Sequence, residues 1–120
     1  MSKDPDMPPP PAVGEPLPRA TEAYAAPEKL TWILSEDGHG REWERVLRIG
    51  ADDTQRFWRA IAQAVIDMPI VRVTDREPFG VACGVETFLT IGKRTAKART
   101  SWHYMHTGDA PRLVTAYPRL

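Results

Sequence analysis

The chain has 120 residues with 16 basic and 16 acidic side chains, so its formal net charge is zero. A chain of this length forms one domain, and a net charge of zero means that the overall charge does not select a partner. One cysteine excludes an internal disulfide, and no run approaches the roughly 18 apolar residues of a membrane span. Because the N-terminus lacks the apolar segment of a secretory signal, we expect a cytoplasmic protein, acting where it is made or carried into a target cell by a larger machine.

Residues 1–27 form the first segment and contain eight of the 12 prolines. Proline lacks the backbone donor that helices and sheets need, and few large apolar residues are present to offset the entropy of ordering. The composition predicts a disordered or polyproline-like arm, either a linker or a docking peptide for a proline-recognising module. A single small domain is expected to follow at residues 28–120.

Two amphipathic helices are predicted near the start of this domain. A short apolar run at 30–34 comes first and is read as a strand or a turn. Apolar residues at spacings of three and four then predict a helix over 41–50. Asp52, with Gln55 three positions later, predicts a capping box that opens a second helix, and Pro69 is expected to end it.

After residue 69 the hydrophobic period changes to two, which is the repeat of a β-strand. The predicted strands are 70–74, 81–91, 93–104 and 112–117. Gly92-Lys93 predicts a hairpin turn, Gly84 suggests a bulge, and Cys83 is expected to be an inert buried thiol. This order predicts an α+β fold, with two helices packed on one face of a roughly four-stranded antiparallel sheet.

Positive charge is concentrated in residues 91–120, which carry six basic side chains and one acidic one, a net of +5. Such asymmetry indicates a polyanionic partner, or else a solvated basic strand offset by acidic helices. If Trp102, Ala98, Val114 and Ala116 face the helices, alternation leaves a second set of side chains on an open face. That open set comprises Lys93, Lys97, Arg99, Ser101, His103, Leu113, Thr115 and Tyr117.

This open set fits metal-independent RNA cleavage. The reaction needs a group with a near-neutral pKa to move the 2′-hydroxyl proton, cations to stabilise charge on the phosphate, and orienting hydroxyls. His103 is the acid–base candidate, with an exposed histidine of no function as the alternative. The candidate catalytic residues are His103, Arg99, Thr115 and Tyr117, and the candidate substrate-binding residues are Lys93, Lys97, Arg112, His39 and Arg41.

Other sites receive less support from the sequence. Trp32 and Tyr104 are base-stacking platforms if they are exposed, and core residues otherwise. The segment Gly38-His39-Gly40-Arg41 is either an anion site formed by backbone N–H groups or a tight turn into a helix. The three histidines lack metal-ligand spacing, and no cofactor fingerprint is present, so neither a metal nor a cofactor is expected.

The C-terminal third resembles a known family. Thr95-Ala96-Lys97-Ala98-Arg99-Thr100-Ser101-Trp102, followed by a short loop and Pro111-Arg112-Leu113-Val114-Thr115-Ala116-Tyr117-Pro118, is similar to small bacterial domains of unassigned function. Those domains occur alone beside small partner genes and at the C-termini of large toxins. The Lys29-Leu30 opening, the Gly-x-Gly-Arg step and Leu47-x-x-Gly50 are also similar, and the likeness spans Glu28 to Pro118. The order of helices and then sheet is similar to the barnase–EndoU–colicin–RelE group of ribonuclease toxins.

The resemblance implies a metal-independent endoribonuclease toxin held by a cognate antitoxin or immunity protein. The positions that match its motif are Arg99, Trp102, Arg112, Thr115 and Tyr117, with Trp102 in a structural role. Related sequences need not have a histidine at the position of His103, which leaves His39 and Arg41 as a competing polar pair. We therefore expect RNA and a neutralising protein as partners, and no membrane. The alternative is a non-enzymatic interaction module, such as the neutralising partner of such a pair or an accessory protein.

Overall fold

A computed structural model describes residues 9–119 of the chain. The helices are α1 (Pro27–Ile33), α2 (Gly40–Leu47) and α3 (Thr54–Ala64), with 3-10 turns at Ala20–Glu22 and Ala51–Asp53. The strands are β1 (Ile70–Asp75), β2 (Val81–Ile91), β3 (Arg94–Tyr104) and β4 (Arg112–Pro118). The predicted α+β class and the order of helices before sheet are confirmed. The described residues contain three α-helices, however, where two were predicted.

The four strands form one antiparallel sheet in the order β1-β2-β3-β4. Its centre is the long β2–β3 hairpin, which pairs continuously from Val81 with Tyr104 to Ile91 with Arg94. The predicted turn at Gly92 closes this hairpin with a φ of 62°, a left-handed conformation that glycine adopts without strain. Side chains alternate between the two faces, so neighbouring residues of β3 are buried and partly exposed in turn.

The helices cover one face of the sheet. Trp43 of α2 and Phe57 of α3 meet edge to face with ring centroids 5.0 Å apart, and both are fully buried. The buried polar atoms are paired: Trp43 Nε1 donates to the carbonyl of Ala116, and Trp102 Nε1 donates to Thr100 Oγ1 at 2.8 Å. A single hydrophobic layer therefore lies between the helices and the sheet, and the opposite face is left open.

The apolar run at 30–34 belongs mostly to α1, so its prediction as a strand or turn is wrong. Pro27 takes the first helical position, where its fixed φ and missing N–H cost nothing. Leu30 and Ile33 then face the core at a spacing of three residues. A run of five apolar residues is too short to show a helical period by itself.

The start and end of α3 also differ from the prediction. A 3-10 turn over Ala51–Asp53 precedes the helix, and the Asp53 carboxylate accepts a hydrogen bond from the Gly50 N–H at 2.9 Å. Asp52 is therefore not the capping residue. The helix ends at Ala64, before Pro69, and Asp67, with a φ of 65°, lies between the helix end and β1.

The N-terminal segment, residues 9–26, packs on the domain. Leu17 is 3% exposed within the core, and the Tyr104 hydroxyl donates to the Pro18 carbonyl at 2.7 Å. Tyr24 forms a parallel bridge along β4, donating its N–H to the Pro111 carbonyl and accepting from the Leu113 N–H. These contacts do not support the predicted disorder over residues 9–27. Residues 1–8 of the predicted arm lie outside the described residues.

Two irregularities change which side chains reach the open face. Ser101 pairs with Thr115 but Trp102 pairs with Leu113, so Val114 is an extra residue in β4. Leu113 is consequently buried and Val114 lines the open side, the reverse of their predicted placement. The second irregularity lies in β1 at residue 71, across from Gly84, so the predicted bulge falls on the facing strand.

The buried Cys83 predicts a loss of stability at alkaline pH. Burial raises the pKa of this thiol from 9.0 to about 11, and burial also raises the pKa of Tyr104 above its ordinary value. The unfolded chain therefore releases these protons at a lower pH than the folded chain does. The free energy of unfolding should be unaffected below about pH 8 and fall as the pH rises from about 9 to about 11. Urea unfolding across this range measures the effect. Cys83→Ala should weaken the decline, and a flat wild-type profile would contradict it.

Candidate functional site

The open face of the sheet forms a groove of about 540 Å³. All four strands contribute to it, and small residues of β2 make its middle concave. The lining residues are Arg72, Thr74, Arg76, Ala82, Cys83, Gly84, Arg99, Ser101, His103, Arg112, Val114, Thr115 and Tyr117. Four of them are arginines and none is acidic, so the groove suits a negatively charged ligand.

The strand register arranges the residues of the open face in three rows across the sheet. The His103 row contains Thr74, Ala82, His103 and Arg112; the Ser101 row contains Arg72, Gly84, Ser101 and Thr115; the Arg99 row contains Glu86, Arg99 and Tyr117. Neighbouring rows are two residues apart along a strand, or about 6.7 Å. The groove therefore presents cations at regular intervals along its length.

Arg99 and Tyr117 lie directly across from each other on β3 and β4, on the face that strand alternation predicted. On its other side, Arg99 Nη2 lies 3.4 Å from Glu86 Oε1, and Arg119 Nε lies 3.8 Å from the same oxygen. Hydrogen bonding to the Tyr117 hydroxyl raises the pKa of Arg99, and the Glu86 carboxylate adds to the shift. Arg99 is thus a permanently charged donor at one end of the groove.

His39 is not part of the groove lining, but it reaches the Arg99 row from outside the sheet through Tyr117. It precedes α2, and its ring lies against Tyr117 with centroids 5.4 Å apart. Its Nδ1 lies 2.9 Å from Glu42 Oε2, one helical turn further on. A Cβ at Gly40 would overlap the backbone of Leu34, so this turn requires glycine to bring His39 close to β4.

The Gly38–Arg41 segment is a tight turn, the second of the two predicted alternatives. The backbone N–H of His39 donates to the Ile33 carbonyl, and the N–H groups of Gly38 and Gly40 both donate to the Ser35 carbonyl. These donors are therefore not free for an anion. The Arg41 side chain is 85% exposed, lies 3.9 Å from Glu36 and does not line the groove.

His103 has both ring nitrogens engaged within the protein. Nε2 contacts the Phe79 carbonyl, which can only accept, so Nε2 carries the proton and Nδ1 faces Arg112 Nη2 at 3.4 Å. Gly80, with a φ of 88°, permits this contact, because a Cβ there would overlap the Tyr104 carbonyl. The imidazole is held toward the β1–β2 turn, at the far end of the groove from Arg99.

The two predicted lysines lie beyond the groove lining. Lys97 is exposed on the open face across from Phe88, and Lys93 is exposed in the β2–β3 turn. The sequence therefore predicted the exposure of both lysines but the strand face of Lys97 alone, and arginines supply the charge of the groove itself.

Tyr104 takes the second of its two predicted alternatives and is a core residue. Tyr104 is buried on the helix side, where its hydroxyl bonds Pro18. Trp32 is exposed, but it lies on α1 in the helix layer, beneath Lys29. Phe79 and Phe88, which are 65% and 62% exposed, were not predicted as aromatic surface residues. Their strong exposure makes them the better candidates for contact with a ligand.

A family model for a domain of unknown function, DUF6883, matches residues 17–120. The chain belongs to the DUF6883 family. The DUF6883 match includes every residue that lines the groove, and it begins at Leu17, where the N-terminal segment enters the core. No curated protein and no solved structure matches the chain.

Three charged residues of this DUF6883 domain were missed as site residues. Arg72 and Arg76 of the first hairpin line the groove, and Glu86 pairs with Arg99. Arg72, Thr74 and Arg76 follow at a spacing of two, which is a strand-face signal in the sequence. The charge count over residues 29–90 concealed it, because ten acidic residues, eight of them outside the α-helices, outnumber eight basic ones and give a net of −2.

The described residues contain neither a cluster of metal-ligand side chains nor a helix that could span a membrane. Among residues 9–119, no group of three or more His, Cys, Asp and Glu side chains lies close enough to hold a metal ion. Within the same residues, no helix is long and apolar enough to cross a bilayer.

Proposed function

We propose that this DUF6883 domain is a metal-independent, endoribonuclease-like toxin domain that binds RNA along the groove and cleaves it there. The observation that carries the proposal is the grouping of four arginines with the hydroxyls of Thr115 and Tyr117 on one concave face. Phosphates bind arginine through paired N–H donors, and arginine stays charged at any physiological pH. In this proposal a cognate antitoxin or immunity protein restrains the domain by covering the groove.

The chemistry is attack of a 2′-hydroxyl oxygen on the adjacent phosphorus. The P–O2′ bond forms, the P–O5′ bond breaks, a proton leaves O2′ and another reaches O5′. Negative charge grows on the two non-bridging oxygens, and a fixed cation beside them is worth several kcal/mol, on the order of 100-fold in rate or more. Arg99 is the proposed clamp, with Tyr117 directly across from it and Thr115 one row away.

His103 and Arg112 are assigned to the neighbouring phosphate. His103 lies four positions after Arg99 in β3, about 13 Å along the strand. The contact with Phe79 draws the imidazole still further from Arg99, and its Nδ1 already faces Arg112. A phosphate held at Arg99 is therefore beyond the reach of His103, and the predicted proton transfer by His103 would require these contacts to break.

The proposal is tested by incubating the purified protein with total RNA in EDTA. Wild type is expected to produce fragments that end in a 2′,3′-cyclic phosphate, the product of the attack described above. Induced expression without a partner protein should also arrest bacterial growth. Intact RNA in the presence of folded wild-type protein, verified by circular dichroism, would contradict the proposal.

A non-enzymatic interaction module is the second candidate function. The observation that favours it is the exposure of Phe79 and Phe88, because aromatic side chains are enriched at protein interfaces. Such a module would leave RNA intact, would be harmless when expressed, and would bind RNA with no steep salt dependence. A fall in RNA affinity of at least about tenfold between 50 and 200 mM salt would instead indicate phosphate contacts in the groove.

A further inference from the structure

His39 stands at the outer end of the Arg99 row, against Tyr117. Resting on the proposed ribonuclease function, we infer that His39, held by Glu42, is the general acid that protonates the leaving 5′-oxygen of RNA bound at Arg99. The sequence predicted His39 as a substrate-binding residue and, together with Arg41, as a polar pair competing with His103, but it gave His39 no role as an acid. The new assignment follows from what each of its ring nitrogens contacts.

His39 has one ring nitrogen available to a ligand. Nδ1 donates to the Glu42 carboxylate at 2.9 Å, which fixes the ring plane. Nε2 makes no hydrogen bond to any other described residue, and the side chain is 32% exposed, so a ligand can reach it. His103 differs in both respects, because its Nε2 contacts a carbonyl and its Nδ1 faces Arg112.

His39 also lies close to Arg99, the proposed clamp. Its ring packs on Tyr117, and Tyr117 lies directly across from Arg99 on the next strand, about 5 Å away between Cα atoms. A phosphate lying over Tyr117 is therefore flanked by the guanidinium on one side and the imidazole on the other. The hydrogen-bonded turn before α2 holds the His39 backbone in place, since its N–H donates to the Ile33 carbonyl at 2.8 Å.

In the proposed step, protonated His39 gives its Nε2 proton to O5′ as the P–O5′ bond breaks. The attacking 2′-hydroxyl passes its proton to solvent as the P–O2′ bond forms. His39 leaves the step neutral and takes up a proton again from water. Glu42 accepts the Nδ1–H throughout and acts as a positioning residue.

The experiment compares two His39 variants on two RNA substrates. His39→Asn can keep a donor to Glu42, and His39→Phe keeps a ring against Tyr117, but neither side chain has an acidic proton that it can transfer to O5′. On ordinary RNA both variants should cleave at least about 100-fold more slowly than wild type. On RNA with sulfur in place of the scissile 5′-oxygen, whose leaving group needs no proton, they should recover to within about tenfold of wild type.

Two readouts exclude a merely structural role. Affinity for 2′-O-methyl RNA, which cannot be cleaved, should stay within about twofold of wild type, because the arginines are untouched. His106→Ala is the matched control, since this histidine is exposed in the β3–β4 loop outside the groove, and its cleavage rate should not change.

Three outcomes overturn the inference. A folded His39→Phe protein that cleaves ordinary RNA within about threefold of wild type would do so. Equal loss on the oxygen and sulfur substrates would show that His39 does not protonate the leaving group. A wild-type protein that cleaves neither substrate would remove the proposed function itself, and this result appears before any variant is compared.

Discussion

Arg99→Ala is expected to lower the rate of RNA cleavage by about 100-fold to 1000-fold, the usual loss when a fixed donor to a developing negative charge is removed. Arg99 is the cation of its row, with the Tyr117 hydroxyl raising its pKa and Glu86 Oε1 only 3.4 Å away. Without it, Glu86 would face the phosphate with no cation between them. Initial rates on a short fluorescent RNA, measured in EDTA, give the ratio.

Arg119→Ala is the matched control for Arg99→Ala. Both arginines lie near the same Glu86 oxygen, but Arg119 does not line the groove. Cleavage by the Arg119 variant should stay within about threefold of wild type. Because Arg99 is a partly exposed surface residue, its variant should unfold at nearly the wild-type urea concentration. Equal rates for the Arg99 variant and wild type would eliminate Arg99 as the clamp.

Trp102→Ala is expected to lower the free energy of unfolding by about 3–5 kcal/mol. Trp102 is fully buried, lies 6.1 Å from Trp58 between ring centroids, and donates to Thr100 Oγ1. The substitution leaves a cavity and also removes the donor to the Thr100 hydroxyl, which itself donates to the Val85 carbonyl. Urea unfolding followed by circular dichroism measures the change.

Trp32→Ala provides the comparison, because Trp32 is 46% exposed on α1. Its cost should be about 0.5 kcal/mol or less. A loss smaller than about 1.5 kcal/mol for Trp102→Ala would mean that the sheet repacks around the missing ring. Trp102→Ala and Arg99→Ala together distinguish the two faces of β3. The Trp102 variant should lose stability, and the Arg99 variant should lose cleavage while remaining folded.

The parts of the fold that the sequence predicted well are those where one local pattern determines the structure. β2 was predicted over residues 81–91, the range that is observed, because strict alternation and the Gly92 turn leave no competing interpretation. The same alternation placed Arg99 and Tyr117 together. It failed for Leu113 and Val114, because one extra residue in a strand reverses the two faces and leaves no mark in the pattern.

The missed features depend on contacts between distant parts of the chain. Composition alone gave no reason to place Leu17 in the core, since its burial follows from packing near Tyr104 on β3. His39 was identified as a polar candidate, but its contact with Tyr117 follows from how α2 packs beside β4. The sequence could not place Arg72 in the groove, because it did not predict which strand lies beside β1.

The packing of the N-terminal segment limits how this domain can be shortened or joined to another protein. A chain cut to begin at residue 28 would lose Leu17 from the core and the acceptor of the Tyr104 hydroxyl. It would also uncover the edge of β4 that Tyr24 bridges, next to Arg112, and a bare strand edge invites pairing between copies. Proteolysis within residues 9–26 would therefore favour aggregation of the domain, whereas a carrier attached ahead of residue 9 would leave these contacts intact.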